Sequence, residues 1–172
     1  MQETGTKLGE SKCPELLEAF PSAILSVEDY LGDLTVSINA SEIRPIVRFL
    51  KETPSQCYEF LMDLFGMDYE GYARETPARF AVVYGFYSYS RKARLRLKAF
   101  VTQNEIDSVH DIYKAANWFE REVWDMFGIQ FKGHPNLKRI LCHHEFKGHA
   151  LRKDFPSNNY QRLRTALPST EL

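Results

Sequence analysis

The sequence changes character at Gly128, where a regular pattern of apolar residues gives way to a segment punctuated by glycine and proline. Before this point, residues 110–127 place apolar side chains three and four positions apart, which is the spacing of a helix that buries one face. A glycine directly after the last apolar residue is typical of a helix end. After this point, residues 128–172 carry few strand or helix signals. The chain is therefore predicted to fold as a regular body, residues 1–127, followed by an irregular C-terminal arm, residues 128–172.

The body consists of short periodic segments joined by turn residues. Residues 94–101 alternate strictly between polar and apolar side chains, which predicts a strand with one buried face. The other segments predict helices at 14–20, 42–51 and 110–127, and strands at 23–27, 34–38, 58–69 and 80–89. The resulting order, α-β-β-α-β-β-β-α, predicts an α+β fold, a two-layer sandwich of a mixed β-sheet with helices.

Charge is distributed unevenly between the two parts. The chain of 172 residues has a net charge of -1, which argues against a protein that binds nucleic acid through phosphate contacts. The arm carries eight basic and three acidic side chains, so the body is acidic and the arm is basic. Such an arm is expected to lie on an acidic partner or to fold back on its own body, although a solvated basic tail fits the composition equally well. An irregular segment of this length suggests that the arm is ordered only when a neighbouring protein covers it.

Several function classes are disfavoured by what the sequence lacks. The apolar run at 80–87 is far shorter than the roughly 20 residues of a membrane-spanning helix, and the first residues show no apolar core of a secretory signal. Three cysteines, Cys13, Cys57 and Cys142, are too few to hold an iron–sulfur cluster by thiolates alone, and they fit a reducing compartment. The sequence also lacks a glycine-rich phosphate loop, so we expect no flavin or NADH site in this chain.

The helix before Gly128 carries three carboxylates, Glu120, Glu122 and Asp125. Paired carboxylates perform acid–base chemistry when burial separates their pKa values. The alternative favoured by spacing alone is a solvated helix face, on which Arg121 and Asp125 are four residues apart and able to pair.

The arm contains a cluster of potential metal ligands, Cys142, His143, His144 and His149. Cysteine and histidine are the usual zinc ligands, so a stand-alone zinc hydrolase is one alternative function. The spacing lacks the paired C-x-x-C or H-x-x-x-H arrangement that typically supports such a site. An exposed polar loop is therefore the favoured interpretation of this cluster.

Two motifs resemble a known family, the 30 kDa subunit of respiratory complex I, which in bacteria is the C-type subunit of NADH-quinone oxidoreductase. The first spans Asn117 to Leu141, with Glu120-Arg121-Glu122 and Asp125 on the helix and His134 and Lys138 in the arm. The second spans Gly148 to Pro156 and reads GHALRKDFP, where family members usually have proline at the position of Ala150.

The resemblance implies a subunit of the peripheral arm of the proton-translocating NADH-quinone oxidoreductase. Such a subunit is expected to hold no cofactor and no active site of its own, whereas FMN and iron–sulfur clusters lie in partner subunits. The expected partners are chiefly the 49 kDa-type subunit of the quinone pocket and the subunit of the terminal cluster. The expected location is the cytoplasmic side of the bacterial inner membrane, as a peripheral protein. The equivalent subunit of a related membrane-bound hydrogenase or of a quinone reductase with another electron donor remains an alternative.

The residues that the resemblance assigns to the family signature and to contacts between subunits are polar or charged. They are Glu120, Arg121, Glu122, Asp125, His134, Lys138, Arg139, His149, Arg152, Lys153 and Asp154. Arg152 and Lys153 beside Asp154 offer charge-assisted hydrogen bonds to a partner's carboxylates or carbonyls.

Overall fold

A computed structural model describes residues 12–165, which form a five-stranded sheet with helices on one face. The helices are α1 (Pro14–Ala19), α2 (Ile43–Glu52) and α3 (Ala116–Phe127), and a 3-10 turn, Ala40–Glu42, precedes α2. The strands are β1 (Ile24–Tyr30), β2 (Asp33–Asn39), β3 (Phe60–Asp68), β4 (Phe80–Ser88), β5 (Ala93–Val101), β6 (Glu105–Asp107) and β7 (Gln130–Lys132). The large sheet has the order β1-β2-β5-β4-β3, in which β2 and β5 are parallel and the other pairs are antiparallel.

The strand register places one row of buried apolar residues across the entire sheet. Val27 faces Val36, Val36 faces Leu97, Leu97 faces Tyr84, and Tyr84 faces Leu64. All five side chains are almost completely buried. The rows on either side repeat the pattern, because inward and outward side chains alternate along a strand.

The helices supply the second layer of the core. Ile43, Ile46, Val47 and Leu50 of α2 are fully buried against the sheet, as is Leu16 of α1. Helix α3 packs against β3, where Gly66 leaves room for the ring of Phe127: a Cβ on Gly66 would lie 2.6 Å from that ring. The predicted α+β class and mixed sheet are confirmed.

Two parts of the fold differ from the prediction. Helix α3 begins at Ala116 and not at 110, because residues 108–115 form turns whose backbone groups bond to side chains elsewhere, such as Val109 N–H to the Glu120 carboxylate. The short parallel pair β6–β7 was not predicted, since three-residue strands show too little alternation to detect. Strand β7 lies within the arm, and its Phe131 and the preceding Ile129 belong to the core.

Within residues 12–165, the structure contains no helix with the length and apolarity that crossing a membrane requires.

Candidate functional site

Five of the signature residues, Arg121, Asp125, His134, Arg139 and His149, meet where the arm crosses helix α3. Asp125 lies at the centre of this crossing. Its side chain is fully buried. Oδ2 accepts hydrogen bonds from three consecutive backbone N–H groups of the arm, those of Ile140 at 3.0 Å and of Leu141 and Cys142 at 2.9 Å each. Burial alone would raise the pKa of Asp125, but these three bonds and the neighbouring Arg139 outweigh it and lower the pKa. Asp125 is therefore an ionised anchor for the arm.

Arg139 completes the anchor from the arm side. Its Nη1 lies 2.5 Å from Asp125 Oδ1, and its Nη2 donates to the carbonyl of Gly148 at 3.0 Å. The guanidinium also lies over the rings of Trp124 and Phe146, with centroid distances of 5.7 and 5.5 Å. One arginine thus joins the helix to two separate stretches of the arm, a task that suits its planar, multidentate donor group.

Arg121 and His134 fasten the arm to the first two turns of the helix. Arg121 donates to the carbonyls of Lys138 and Arg139, both at 3.1 Å. His134 Nδ1 accepts the N–H of Asn136, so Nε2 carries the proton that bonds the carbonyl of Asn117 at 3.0 Å. Burial, together with the nearby positive charge, lowers the pKa of His134, which fits this neutral tautomer.

His149 holds the arm at the end of the helix. Its Nδ1 donates to the carbonyl of Asp125 at 3.0 Å, and its ring lies edge-on to Trp124. The ring also covers Gly128, which has φ +78° and on which a Cβ would lie 2.6 Å from the imidazole. Glycine is required here both for the left-handed backbone that ends the helix and for the close approach of His149.

Glu120 occupies a separate buried pocket on the opposite side of the helix. It is fully buried, and its carboxylate accepts hydrogen bonds from Ser108 Oγ at 2.5 Å and from Val109 N–H at 2.8 Å. Burial raises the pKa of Glu120 to about 7 despite these two bonds. Near this pocket, Arg44 pairs with Asp111 through two bonds of 2.9 and 2.7 Å.

A second anchor ties Lys153 and Asp154 of the arm to the end of strand β3 and to Arg79. The side chain of Asp68 is fully buried, and it accepts two bonds of 3.0 Å from Arg79 and one of 2.9 Å from Lys153 N–H. Burial alone would raise the pKa of Asp68, but these bonds lower it to about 2. Arg79 also pairs with Asp154 at 3.0 Å, and Arg152 lies over the ring of Phe80.

The structure changes the interpretation of the carboxylates on the helix. Glu122 is exposed, in agreement with a solvated face, but Glu120 and Asp125 are fully buried, so that interpretation is wrong for both. The spacing allows Arg121 and Asp125 to pair, but they do not: Asp125 pairs with Arg139, and Arg121 bonds backbone carbonyls. Arg121 lies one helical turn before Asp125 on the same face of the helix, and both side chains bind the same stretch of the arm.

The potential zinc ligands are not brought together. His143 bonds the carbonyl of Gln161, His149 bonds the carbonyl of Asp125, and His144 lies near Glu145. In the part of the chain that the structure describes, no three side chains of Cys, His, Asp or Glu are grouped as metal ligands.

Sequence reasoning missed two residues that receive the arm, Asp68 and Arg79, and two that lie around the buried Glu120, Ser108 and Arg44. Asp68, Arg79, Ser108 and Arg44 lie far from the arm or from α3 in the sequence. Asp68 is one of three carboxylates in the predicted strand at 58–69, so nothing in the sequence distinguishes it. Its partner Arg79 is eleven residues away across a loop.

Together these contacts form a clamp, defined here as Asp125, Arg139, Arg121, His134 and His149. All five direct polar groups to backbone atoms or to each other, and the Asp125 carboxylate is occupied by four donors. Such a site fixes the path of a chain segment.

Comparison with known proteins identifies relatives that share most of this chain. The profile of the family described as "Respiratory-chain NADH dehydrogenase, 30 Kd subunit" matches residues 36–161. The C-type subunit of NADH-quinone oxidoreductase from Cereibacter sphaeroides is 44% identical over 145 residues, which cover 84% of this chain and 70% of the relative. The C-type subunit from Geobacter sulfurreducens is 44% identical over 144 residues, covering 83% of this chain and 86% of that protein. A C/D-type subunit from Bdellovibrio bacteriovorus is 44% identical over 139 residues, which are 80% of this chain and 24% of that protein.

Two solved structures share the fold. A trypsin-resistant fragment of Nqo5 superposes with a TM-score of 0.65 at 32% identity, covering 74% of this chain and 98% of the fragment. A chain of the archaeal membrane-bound sulfane sulfur reductase superposes with a TM-score of 0.62 at 23% identity, covering 76% of this chain and 74% of that one; at this identity it shows the fold alone.

Proposed function

Because this chain belongs to the family of the 30 kDa subunits of the respiratory-chain NADH dehydrogenase, we propose that it acts as a structural, cofactor-free subunit of the peripheral arm of NADH-quinone oxidoreductase. In this role it contributes surfaces and rigidity, while the transfer of electrons from NADH to quinone and the coupled movement of protons belong to the assembly. FMN and the iron–sulfur clusters lie in the partner subunits.

The observation that carries this proposal is the way in which the signature residues are used. The Asp125 carboxylate receives four donors from the arm, and the Arg139 guanidinium is divided between Asp125, Gly148 and two aromatic rings. Groups bound in this way are not available to a substrate, whereas they hold the arm in one position. A fixed arm offers partner subunits a preformed surface, which reduces the entropy cost of assembly.

The proposed partners are the 49 kDa-type subunit that forms much of the quinone pocket and the subunit of the terminal cluster. The Bdellovibrio relative supports the proposal that a D-type subunit is one neighbour. Its name joins the C-type and D-type subunits, and the match with this chain covers only 24% of that protein. Joining two proteins in one chain keeps them at high local concentration, which is advantageous when they are neighbours in the assembly. The basic arm is the proposed contact surface, and its Lys153 is exposed.

The proposed location is the cytoplasmic side of the bacterial inner membrane, where the chain is attached through the complex. The electron donor is proposed to be NADH, since the relatives at 44% identity are named NADH-quinone oxidoreductase subunits. The likeness to the sulfane sulfur reductase shows the fold alone, so the alternative of another electron donor has weaker support.

Co-purification tests this proposal. A tagged copy of the chain is isolated from gently solubilised native membranes, and the accompanying proteins are identified by mass spectrometry. Flavin-bearing, cluster-bearing and membrane subunits of NADH-quinone oxidoreductase are expected. Recovery of the hydrogenase-type subunits would favour the alternative, and recovery of the chain alone, at normal expression, would overturn the proposal. Metal analysis of the pure chain tests the zinc-hydrolase alternative, because that function requires one bound zinc ion per chain.

A further inference from the structure

The outer side of the clamp forms a cleft that is apolar and positively charged. The cleft has a volume of about 580 Å³ and lies between helix α3 and the arm. Its walls include Trp118, Trp124, Arg121, Lys138, His143 and His144, and none of the described residues that line it is Asp or Glu. We call it the cationic cleft.

Among the residues that the structure describes, no carboxylate neutralises two of its positive charges. Arg121 directs its hydrogen bonds to the carbonyls of Lys138 and Arg139, which leaves its charge uncompensated. Lys138 is exposed, and within residues 12–165 its ammonium group makes no hydrogen bond or ion pair. Arg139 differs, since Asp125 already neutralises it.

The rim of the cleft carries a large exposed aromatic residue. Trp118 is 61% exposed, and the Arg121 guanidinium lies 5.0 Å from the centre of its ring. Tryptophan and arginine are the residue types most often found at the energetic centres of protein interfaces. An isolated exposed tryptophan needs no explanation, but one stacked with an uncompensated arginine at the mouth of an apolar cleft indicates a contact surface.

A polar atom inside the cleft wall also lacks a partner. His143 donates from Nε2 to the carbonyl of Gln161, while its Nδ1 is buried and bonded to nothing in the described part of the chain. Buried nitrogen atoms normally have a hydrogen-bond partner.

The outer face of the sheet provides a second groove, of about 480 Å³, but with different charges. Asp33 and Asp63 line it together with basic residues, and Arg96 is already paired with Asp33 at 2.9 Å. A groove of mixed charge favours neither an acidic nor a basic partner, whereas the cationic cleft favours an acidic one.

We propose that the cationic cleft is the docking site of a segment of a neighbouring subunit that carries a carboxylate beside an aromatic or aliphatic side chain. The carboxylate pairs with Lys138 and Arg121, and the apolar side chain packs between Trp118 and the cleft wall. This inference rests on the proposed function, because it requires that the chain is part of a complex.

Photo-crosslinking in the assembled complex tests the occupant directly. Trp118 is replaced by the photoreactive residue p-benzoylphenylalanine. As a control for non-specific crosslinking, Tyr89, which is 62% exposed and lies outside the cleft, is replaced in the same way. A crosslink specific to position 118, on an Asp- or Glu-bearing segment of a neighbouring subunit, is expected. A crosslink to residues 166–172 of this chain, to lipid or to nothing, in a complex that is otherwise intact, would overturn the docking proposal while leaving the proposed function standing. Absence of the chain from the complex would count against the proposed function itself.

Substitutions provide a second, quantitative measurement. Trp118→Ala and Lys138→Glu are compared with Arg74→Glu, an exposed arginine outside the cleft. Loss of a tryptophan at an interface centre is expected to weaken association of the purified chain with its partner subunit about 30-fold, and Lys138→Glu should weaken it similarly, whereas Arg74→Glu should not. Circular dichroism confirms that each variant folds. Equal affinities for all three folded variants would overturn the proposal.

Discussion

Asp125 Oδ1 and Arg139 Nη1 lie 2.5 Å apart, and this pair joins the last helix of the body to the arm that follows it. The remaining oxygen of Asp125 receives the three backbone N–H groups that follow Arg139 in sequence. A carboxylate buried without these partners would be strongly destabilising, so helix and arm depend on each other.

Asp125→Asn is therefore expected to reduce the free energy of unfolding by about 3 kcal/mol, because it leaves the half-buried Arg139 without its counter-charge. Glu122→Gln is the matched control on the same helix, since Glu122 is exposed, and it should change stability by less than about 0.5 kcal/mol. Urea denaturation of the purified chain measures both. Equal effects of the two substitutions would show that the buried anchor contributes no more than a surface carboxylate.

Comparing Gly128→Ala with Gly71→Ala distinguishes the cost of backbone strain from the cost of displacing the His149 ring. Gly128 and Gly71 both have positive φ, of +78° and +71°, but only at Gly128 would a Cβ meet the imidazole ring. Gly71→Ala should cost about 1 kcal/mol for its backbone conformation alone. Gly128→Ala should cost clearly more, since the ring of His149 has to move, and the amides of Leu151 and its neighbours should then exchange faster with solvent. Similar melting temperatures for the two variants would contradict the proposed packing.

Glu120 is expected to make stability fall as pH rises. Burial raises its folded pKa to about 7 from an ordinary value of 4.5, so the folded state holds a proton that the unfolded state releases. Its contribution is fully present below about pH 4.5 and is lost as pH rises through about 7, amounting to roughly 3 kcal/mol for a shift of this size. Glu120→Gln removes the ionisation and should flatten the stability curve between pH 5 and 8. An unchanged slope in the variant would show that Glu120 is ionised in the folded protein.

Asp68 has the opposite effect on the pH dependence of stability: its contribution is lost as pH falls. Its bonds to Arg79 and to Lys153 N–H lower its pKa to about 2, so its contribution is present above the ordinary value of 3.8 and is lost as pH falls toward 2. The wild-type chain should consequently lose its second arm anchor on acidification before its core unfolds. Faster proteolysis of residues 150–165 than of the body near pH 2 would be the evidence, and simultaneous cleavage of both parts would contradict it.

The body was largely predictable from sequence because burial alternates along its strands. Residues 94–101 show this clearly, with Leu95, Leu97 and Ala99 buried and Arg94 and Arg96 exposed. The start of α3 was not predictable, since the apolar residues Ile112 and Tyr113 are buried in turns that imitate helical spacing.

The clamp was predictable only in part. The family resemblance selected Asp125, Arg139 and His149, but it gave no indication that they bind one another within the chain. Charged residues in a sequence are usually solvated, and burial of Asp125 becomes evident only when three backbone N–H groups from 15–17 residues away are placed around it. The expectation that the arm needs a partner to become ordered stays a prediction, and these bonds give residues 138–155 an anchor on the chain's own body.

The most direct measurement of a structural role is turnover per assembled complex in an arm variant. Lys153→Glu is a cleaner charge reversal than one at Arg152, because Lys153 is exposed whereas Arg152 also packs on Phe80. Membranes carrying this variant should contain less assembled NADH-quinone oxidoreductase, quantified on native gels and by bound FMN. Quinone reduction by NADH, per mole of FMN in the assembled enzyme, should remain at the wild-type rate. Normal amounts of complex with slow turnover would contradict the account and assign this chain a part in the chemistry.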